Sequence, residues 1–86
     1  MTTSQLLKKT LKRTGQSKRQ AAIEIGVSRP TFDAWLFGLY VPDPGDHKKI
    51  ARLASWAKIT EGEMLRIILV GDKGIDDDTL RQAMGG

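Results

Sequence analysis

The chain has no cysteine among its 86 residues. That rules out a disulfide framework and any thiolate metal site. Its single histidine, His47, has no second histidine with which to share a metal and reads as a solvated residue at a helix start. Aromatic residues make up only 6% of the chain, and this length supports one domain with one small core. No run of about 18 apolar residues occurs, so no membrane-spanning segment is expected. The opening MTTSQLLKKTLKR lacks the apolar stretch of a signal peptide, which makes a cytoplasmic location the expectation. No Gly-rich phosphate loop closing on Lys-Ser/Thr is present. Asp76, Asp77 and Asp78 lack the alternating spacing and closing glutamate of a calcium loop, so helix capping and solvation account for them. Neither an enzyme nor a metal- or cofactor-dependent protein is expected.

Acidic residues are scarce at one end. Residues 1–29 hold seven Lys or Arg against Glu24 alone, a balance of +6. Residues 30–70 hold five against five, and residues 71–86 hold two against four. The formal net charge of +4 is therefore concentrated in the first third of the chain, which points to a polyanionic partner.

The most informative stretch is Ser17 to Gly38, SKRQAAIEIGVSRPTFDAWLFG. Ser17 with Gln20 forms a capping box, and Ala21, Ala22 and Ile25 supply one apolar face at helical spacing. Gly26 suits the left-handed residue that ends a helix. Ser28 caps a second helix, with Val27 placed to staple against Phe32. Pro30 has no amide, so the Ser28 oxygen must cap Thr31. Phe32, Trp35 and Leu36 form the inward face, and Gly38 stops the helix. Lys18, Arg19 and Arg29 all fall in first turns, where the helix dipole disfavours positive charge by about 0.3–1 kcal/mol each. An anion in front of both helix starts would convert that defect into an attraction, and a nucleic-acid phosphate is the leading candidate.

The spacing of Ala21, Ala22, Ile25, Gly26, Val27, Phe32, Trp35 and Gly38 resembles the helix-turn-helix of the lambda-repressor and Cro-like (XRE-type) family. The similarity extends through YVPD at 40–43 and through IARLA and KITEGEML, and covers about Gln5 to Val70. It implies an all-α, five-helix lambda-repressor-like DNA-binding domain over 1–70, with 71–86 as a tail carrying a short extra helix. It also implies a DNA-binding regulator acting as a homodimer on two half-sites, with recognition helices about 34 Å apart. On that reading helix 28–37 lies in the major groove. Arg29, Pro30, Thr31, Asp33 and Ala34 are then candidate base contacts, and Lys18, Arg19, Ser28, Tyr40 and Lys48 candidate backbone contacts. Arg29 suits guanine O6 and N7, while Asp33 either accepts from a cytosine amine or orients Arg29 at i,i+4. Pro30 and Ala34 offer only apolar contact, for instance to a thymine methyl. The family often has Gln or Ser at the start of this helix where this chain has Arg-Pro, so its base preference does not carry over.

The remaining helices read as the frame. Thr2 with Gln5, or a neighbouring hydroxyl, caps a first helix to about Thr14, with Leu6, Leu7 and Leu11 on one side and Lys8, Lys9, Lys12 and Arg13 spread over the other. Lys9 and Arg13 are phosphate candidates only if this helix lies near the backbone. Pro42 and Pro44 stiffen the loop at 39–45. Tyr40 there either reaches a phosphate or packs under the loop; Phe37 falls either on the outward face of the helix or, as its cluster with Leu36 and Leu39 favours, in the core. Asp46 caps a helix from His47 to about Lys58 that turns Ile50, Leu53, Ala54 and Ala57 inward; Trp56 sits at the edge of that arc, in the core or at an interface. Thr60 with Glu63 is a further capping box, with Ile59 and Met64 placed to staple it.

The helix carrying MLRIILV is apolar over well more than the ~100° stripe that a surface helix needs. Its surplus is expected to be covered by the tail, where Leu80, Ala83 and Met84 follow an Asp76 cap, or by a second subunit. Ile67, Ile68, Val70 and Leu80 are the candidate dimer interface. A small phage or plasmid repressor on a palindromic operator fits this economy. Its rivals are an antitoxin-type regulator whose main partner is a toxin protein, or an anti-repressor target, and a protein-interaction module that keeps the fold without the DNA function.

Overall fold

The α-helices between residues 3 and 66 each start on a side-chain oxygen. In the computed structural model, which describes residues 1–76, 78, 79, 81 and 82, the helices are α1 (Thr3–Thr14), α2 (Lys18–Ile25), α3 (Arg29–Leu36), α4 (His47–Ala57) and α5 (Glu61–Arg66). Thr2, Ser17 and Thr60 cap α1, α2 and α5 through complete capping boxes with Gln5, Gln20 and Glu63. Asp46 accepts from the Lys49 amide at 3.2 Å at the start of α4. Each of these caps satisfies an amide that the helix leaves without a partner. The described residues are helical or irregular, with no strand among them.

Helices α2, α3 and α4 end in the same way. Just past each helix an amide reaches back to a carbonyl five residues earlier: Val27 to Ala22, Leu39 to Ala34 and Ile59 to Ala54. The residue before it is left-handed in each case, at Gly26 (φ 86°), Gly38 (φ 74°) and Lys58 (φ 62°). This is the Schellman arrangement, and glycine adopts it without the penalty a Cβ imposes. It turns the chain sharply after α2 and α3, so that both helices pack on one core.

That core is built from α1 on α3, α2 on α3 and α4, and α4 on α5. Leu7, Ala21, Ile25, Phe32, Leu53, Met64 and Ile68 have no exposed surface. The Phe32 ring meets Trp56 edge-on, with centroids 6.1 Å apart at 85°. Trp56 is thus a core residue, and its Nε1 donates to Gln16 Oε1 at 2.7 Å, so the indole N–H is not buried unpaired. Two threonines on α1, Thr3 and Thr10, are buried with the leucines. Thr10 Oγ1 donates to the Leu6 carbonyl of its own helix at 2.8 Å, which satisfies the hydroxyl and lets it sit among apolar neighbours.

The apolar run after α5 does not continue as α-helix. Residues Ile67–Asp72 form a π-helical turn, closed by the Lys73 amide on the Ile68 carbonyl at 3.0 Å. The wider turn brings Gly71 and Asp72 back to the start of α1. Asp72 accepts from the Thr3 amide at 2.8 Å and from the Thr3 hydroxyl, and Gly71 lies against the backbone of Met1 and Thr2. The folded body therefore runs past Val70 to Asp72. Beyond it, Asp76 accepts from the Thr79 amide at 2.7 Å, the cap expected there, and this bond holds the Asp76 carboxyl below the usual carboxylate range. No helix among the described residues is long and apolar enough to cross a membrane.

One expectation for the apolar surface changes. Ile68, in the π turn, is wholly buried inside a single chain and so offers nothing to a second copy. Ile67 and Val70 are half-buried and line a shallow hollow with Met1, Arg66 and Gly71. Leu80, Ala83 and Met84, named for tail packing, lie outside the described residues.

Candidate nucleic-acid interface

The stretch from Ser17 to Gly38 forms two helices joined by a three-residue turn, Gly26–Val27–Ser28. Val27 is partly buried against the core, as a staple requires, and Gly26 carries the reversal. The guanidinium of Arg52 on α4 lies over Gly26 on the side where a Cβ would project. At the start of α3 the Ser28 Oγ accepts from the Thr31 amide at 3.3 Å and donates to the Thr31 hydroxyl at 2.9 Å. The missing amide of Pro30 dictates this bond.

Phe32, Trp35 and Leu36 face the core, and the opposite side of α3 carries every candidate base contact. Arg29 and Pro30 are exposed, and Thr31, Asp33 and Ala34 are partly exposed. Arg29 Nε donates to Asp33 Oδ1 at 3.1 Å, so Asp33 orients the arginine in the free chain. This exposed pair is worth little to stability; its consequence is geometric, because the two terminal nitrogens of Arg29 are left pointing along a defined direction. Neither α2 nor α3 has an acidic residue in its first turn. Lys18, Arg19 and Arg29 therefore stand at positive helix ends with no local carboxylate on the first turns to offset them.

Phe37 is a correction. It is not core: its ring is 62% exposed, because α3 ends at Leu36 and the Gly38 reversal carries the next residues outward. Lys18 Nζ lies over that ring, 5.2 Å from its centroid. The contact ties the start of α2 to the end of α3 and holds the lysine on the same side as the outward face of α3. Leu39 is exposed as well, not packed with Leu36. Tyr40 is 72% exposed, so it does not pack under its loop. The Leu39 and Tyr40 amides both point to the Ala34 carbonyl, at 2.9 and 3.4 Å, which folds residue 40 back beside α3. Between them Pro30, Thr31, Ala34, Trp35 and Tyr40 line an open hollow of about 330 Å³.

The other candidates separate. Arg19 and Ser28 are exposed at the starts of α2 and α3. Lys48 is exposed in the first turn of α4 and lines none of the hollow, while its neighbour Lys49 pairs with Asp46 at 3.8 Å. Arg13 is exposed and donates to the Ala57 carbonyl at 3.4 Å, which places its charge at the C-terminal end of α4. The Lys18–Phe37 contact was the missed part of the site, whereas the stop at Gly38 was expected. The turn has a sequence signal in glycine at 38 followed by leucine; the Lys18–Phe37 contact spans 19 residues and has none.

No protein-family model, curated protein or solved structure matches the chain.

Proposed function

We infer that the chain is a sequence-specific double-stranded DNA-binding regulator of lambda-repressor-like architecture, with α3 in the major groove. The observation that carries this is the outward side of α3. A short helix, anchored by Phe32, Trp35 and Leu36, presents an oriented arginine, Pro30, Thr31 and Ala34 to solvent, beside two acid-free helix starts bearing Lys18, Arg19 and Arg29. Phosphate contacts from Lys18, Arg19 and Ser28 would set register, and contacts from α3 would set sequence. Pairing of two copies through Ile67 and Val70 would place two readers on a palindromic operator. The exposed loop of Phe37, Leu39, Tyr40 and Val41 favours a second reading, an antitoxin-type regulator that also seats a protein partner on this apolar ridge.

The test is selection from a random duplex pool at moderate salt. An enriched inverted repeat supports the regulator and its dimer, and a pool retained without sequence preference by folded protein overturns the reading. Two variants refine the site. Arg29→Ala is expected to weaken the selected duplex by about 2 kcal/mol and to relax preference at one base pair. Equal weakening on all sequences would make Arg29 a phosphate contact only. Lys18→Ala is expected to weaken selected and random DNA alike and to lower the salt slope by about one, measured by titration across salt concentrations. An unchanged slope would remove Lys18 from the backbone contacts.

A further inference from the structure

We propose that the hollow between α1 and the α4–α5 turn is a docking groove for an acidic amphipathic helix of a protein partner. Among the described residues that line it, none belongs to α2 or α3, so the groove stands apart from the DNA-reading role inferred above. The hollow is open and holds about 480 Å³. Its floor is carbon from Leu6, Ala57, Ile59 and Ile67, the first two buried and the others half-buried. Its charged lining is Lys9, Arg13 and Lys58 against Glu63, a surplus of two positive charges. Glu63 is already engaged, because its Oε1 accepts from the Thr60 amide and hydroxyl at 3.2 and 3.0 Å. Lys9 and Lys58 are exposed and form no ion pair among the described residues.

Lys58 is held there at a cost. Among the described residues it alone, apart from glycines, has a left-handed backbone (φ 62°). Gly26 and Gly38 fill the corresponding place after α2 and α3, where glycine escapes the penalty of a Cβ. The negative end of α4 favours a cation, but Arg13 already brings its charge there through the Ala57 carbonyl at 3.4 Å. The fold therefore keeps a strained lysine that its own helix end does not need, and strain of that kind gathers where ligands are held. Charge and spacing select the occupant. Lys9 and Arg13 lie one turn apart on α1, about 6 Å along its axis, which matches carboxylates at i and i+4 on a second helix. The carbon floor beside them takes the apolar side chains of that same helix. A polyanion without an apolar face would pair with the cations and leave the floor in water.

The probe is a fluorescein-labelled helical peptide with glutamates at i and i+4 along one flank and leucines on the adjoining face. A scrambled peptide of the same composition is the control. The full chain is expected to bind the ordered peptide about tenfold tighter than the scrambled one by fluorescence anisotropy, the weight of one buried apolar side chain. Amide NMR shifts are expected at Leu6, Lys9, Thr10, Ala57 and Ile67. Lys9→Ala combined with Lys58→Gly is expected to weaken the ordered peptide about fivefold, the weight of two exposed charge pairs. Lys58→Gly alone is expected to melt no lower than the parent, since glycine relieves the left-handed position, so weaker binding there is not lost folding. Failure to bind the ordered peptide, equal binding of both peptides, or binding unchanged in the double variant overturns the groove. Competitive displacement of the ordered peptide by random duplex assigns the cations to DNA and overturns it as well. Self-association of the chain that the double variant abolishes makes a second copy the occupant and overturns the partner.

Discussion

Phe32→Ala is expected to lower stability by about 3–5 kcal/mol and to leave much of the chain unfolded near physiological temperature. A domain of this length carries roughly 4–13 kcal/mol in all, so the loss is a large share of the total. Phe32 has no exposed surface, and its ring is the contact between α3 and the Trp56 indole on α4. Truncation removes the buried ring, opens a cavity under the outward-facing helix, and leaves Trp56 packed on one side only. The melting temperature is expected to fall by on the order of 20 °C in a circular-dichroism melt, with a parallel change in tryptophan fluorescence. Phe37→Ala, five residues further on, is the contrast. That ring is mostly in water, and its loss is expected to shift the melt by only a few degrees, because surface changes stay near ±0.5 kcal/mol. A Phe32→Ala melt within 5 °C of the parent would mean that the core collapses onto the site, and that α3 is not held chiefly by this ring.

The contrast between the two phenylalanines shows what a linear reading can reach. Phe32 stands at the spacing of Trp35 and Leu36 and is called inward by periodicity alone. Phe37 has the same spacing to an apolar neighbour, but the helix ends one residue before it, and a helix wheel has no meaning past the last turn. The caps were legible because each is a bond over three residues between a hydroxyl or carboxylate and an amide, as at Ser17–Gln20, Ser28–Thr31 and Thr60–Glu63. The outward side of α3 was legible for the same reason, being the complement of a clear apolar stripe. Arg29 and Asp33 were both named, and only the structure decides that they pair in the free chain.

The bonds that set the position of that helix were not legible. Ser4 donates its hydroxyl to the Leu36 carbonyl at the end of α3, across 32 residues. Asp72 holds the first amide of α1 across 69 residues. Asp72 reads in sequence as one acid among several, and nothing local distinguishes it from Asp76 or Asp78. The π turn that delivers it is equally silent, because an apolar run such as IILV satisfies an α-helix as readily as a widened one.

Gly71→Val tests that chain of contacts and is expected to cost about 3 kcal/mol. A Cβ on residue 71 would lie 1.8 Å from the Met1 carbonyl oxygen and 3.4 Å from the Thr2 Cα, so backbone must move to admit it. The backbone that moves is the approach to α1, where Asp72 caps Thr3 and where the next residue, Ser4, holds the last carbonyl of α3. The variant is therefore expected to melt on the order of 10–20 °C lower and to expose the Thr3 amide to hydrogen exchange. Asp72→Ala removes the cap without the clash and is expected to speed exchange at Thr3 with a smaller loss, about 1–3 kcal/mol, because the buried amide is left without its acceptor. If Gly71→Val melts with the parent while Asp72→Ala does not, Met1 swings aside freely and the cap alone holds α1. If neither shifts the melt, the start of α1 is not tied to the π turn, and the placement of α3 rests on the core around Phe32.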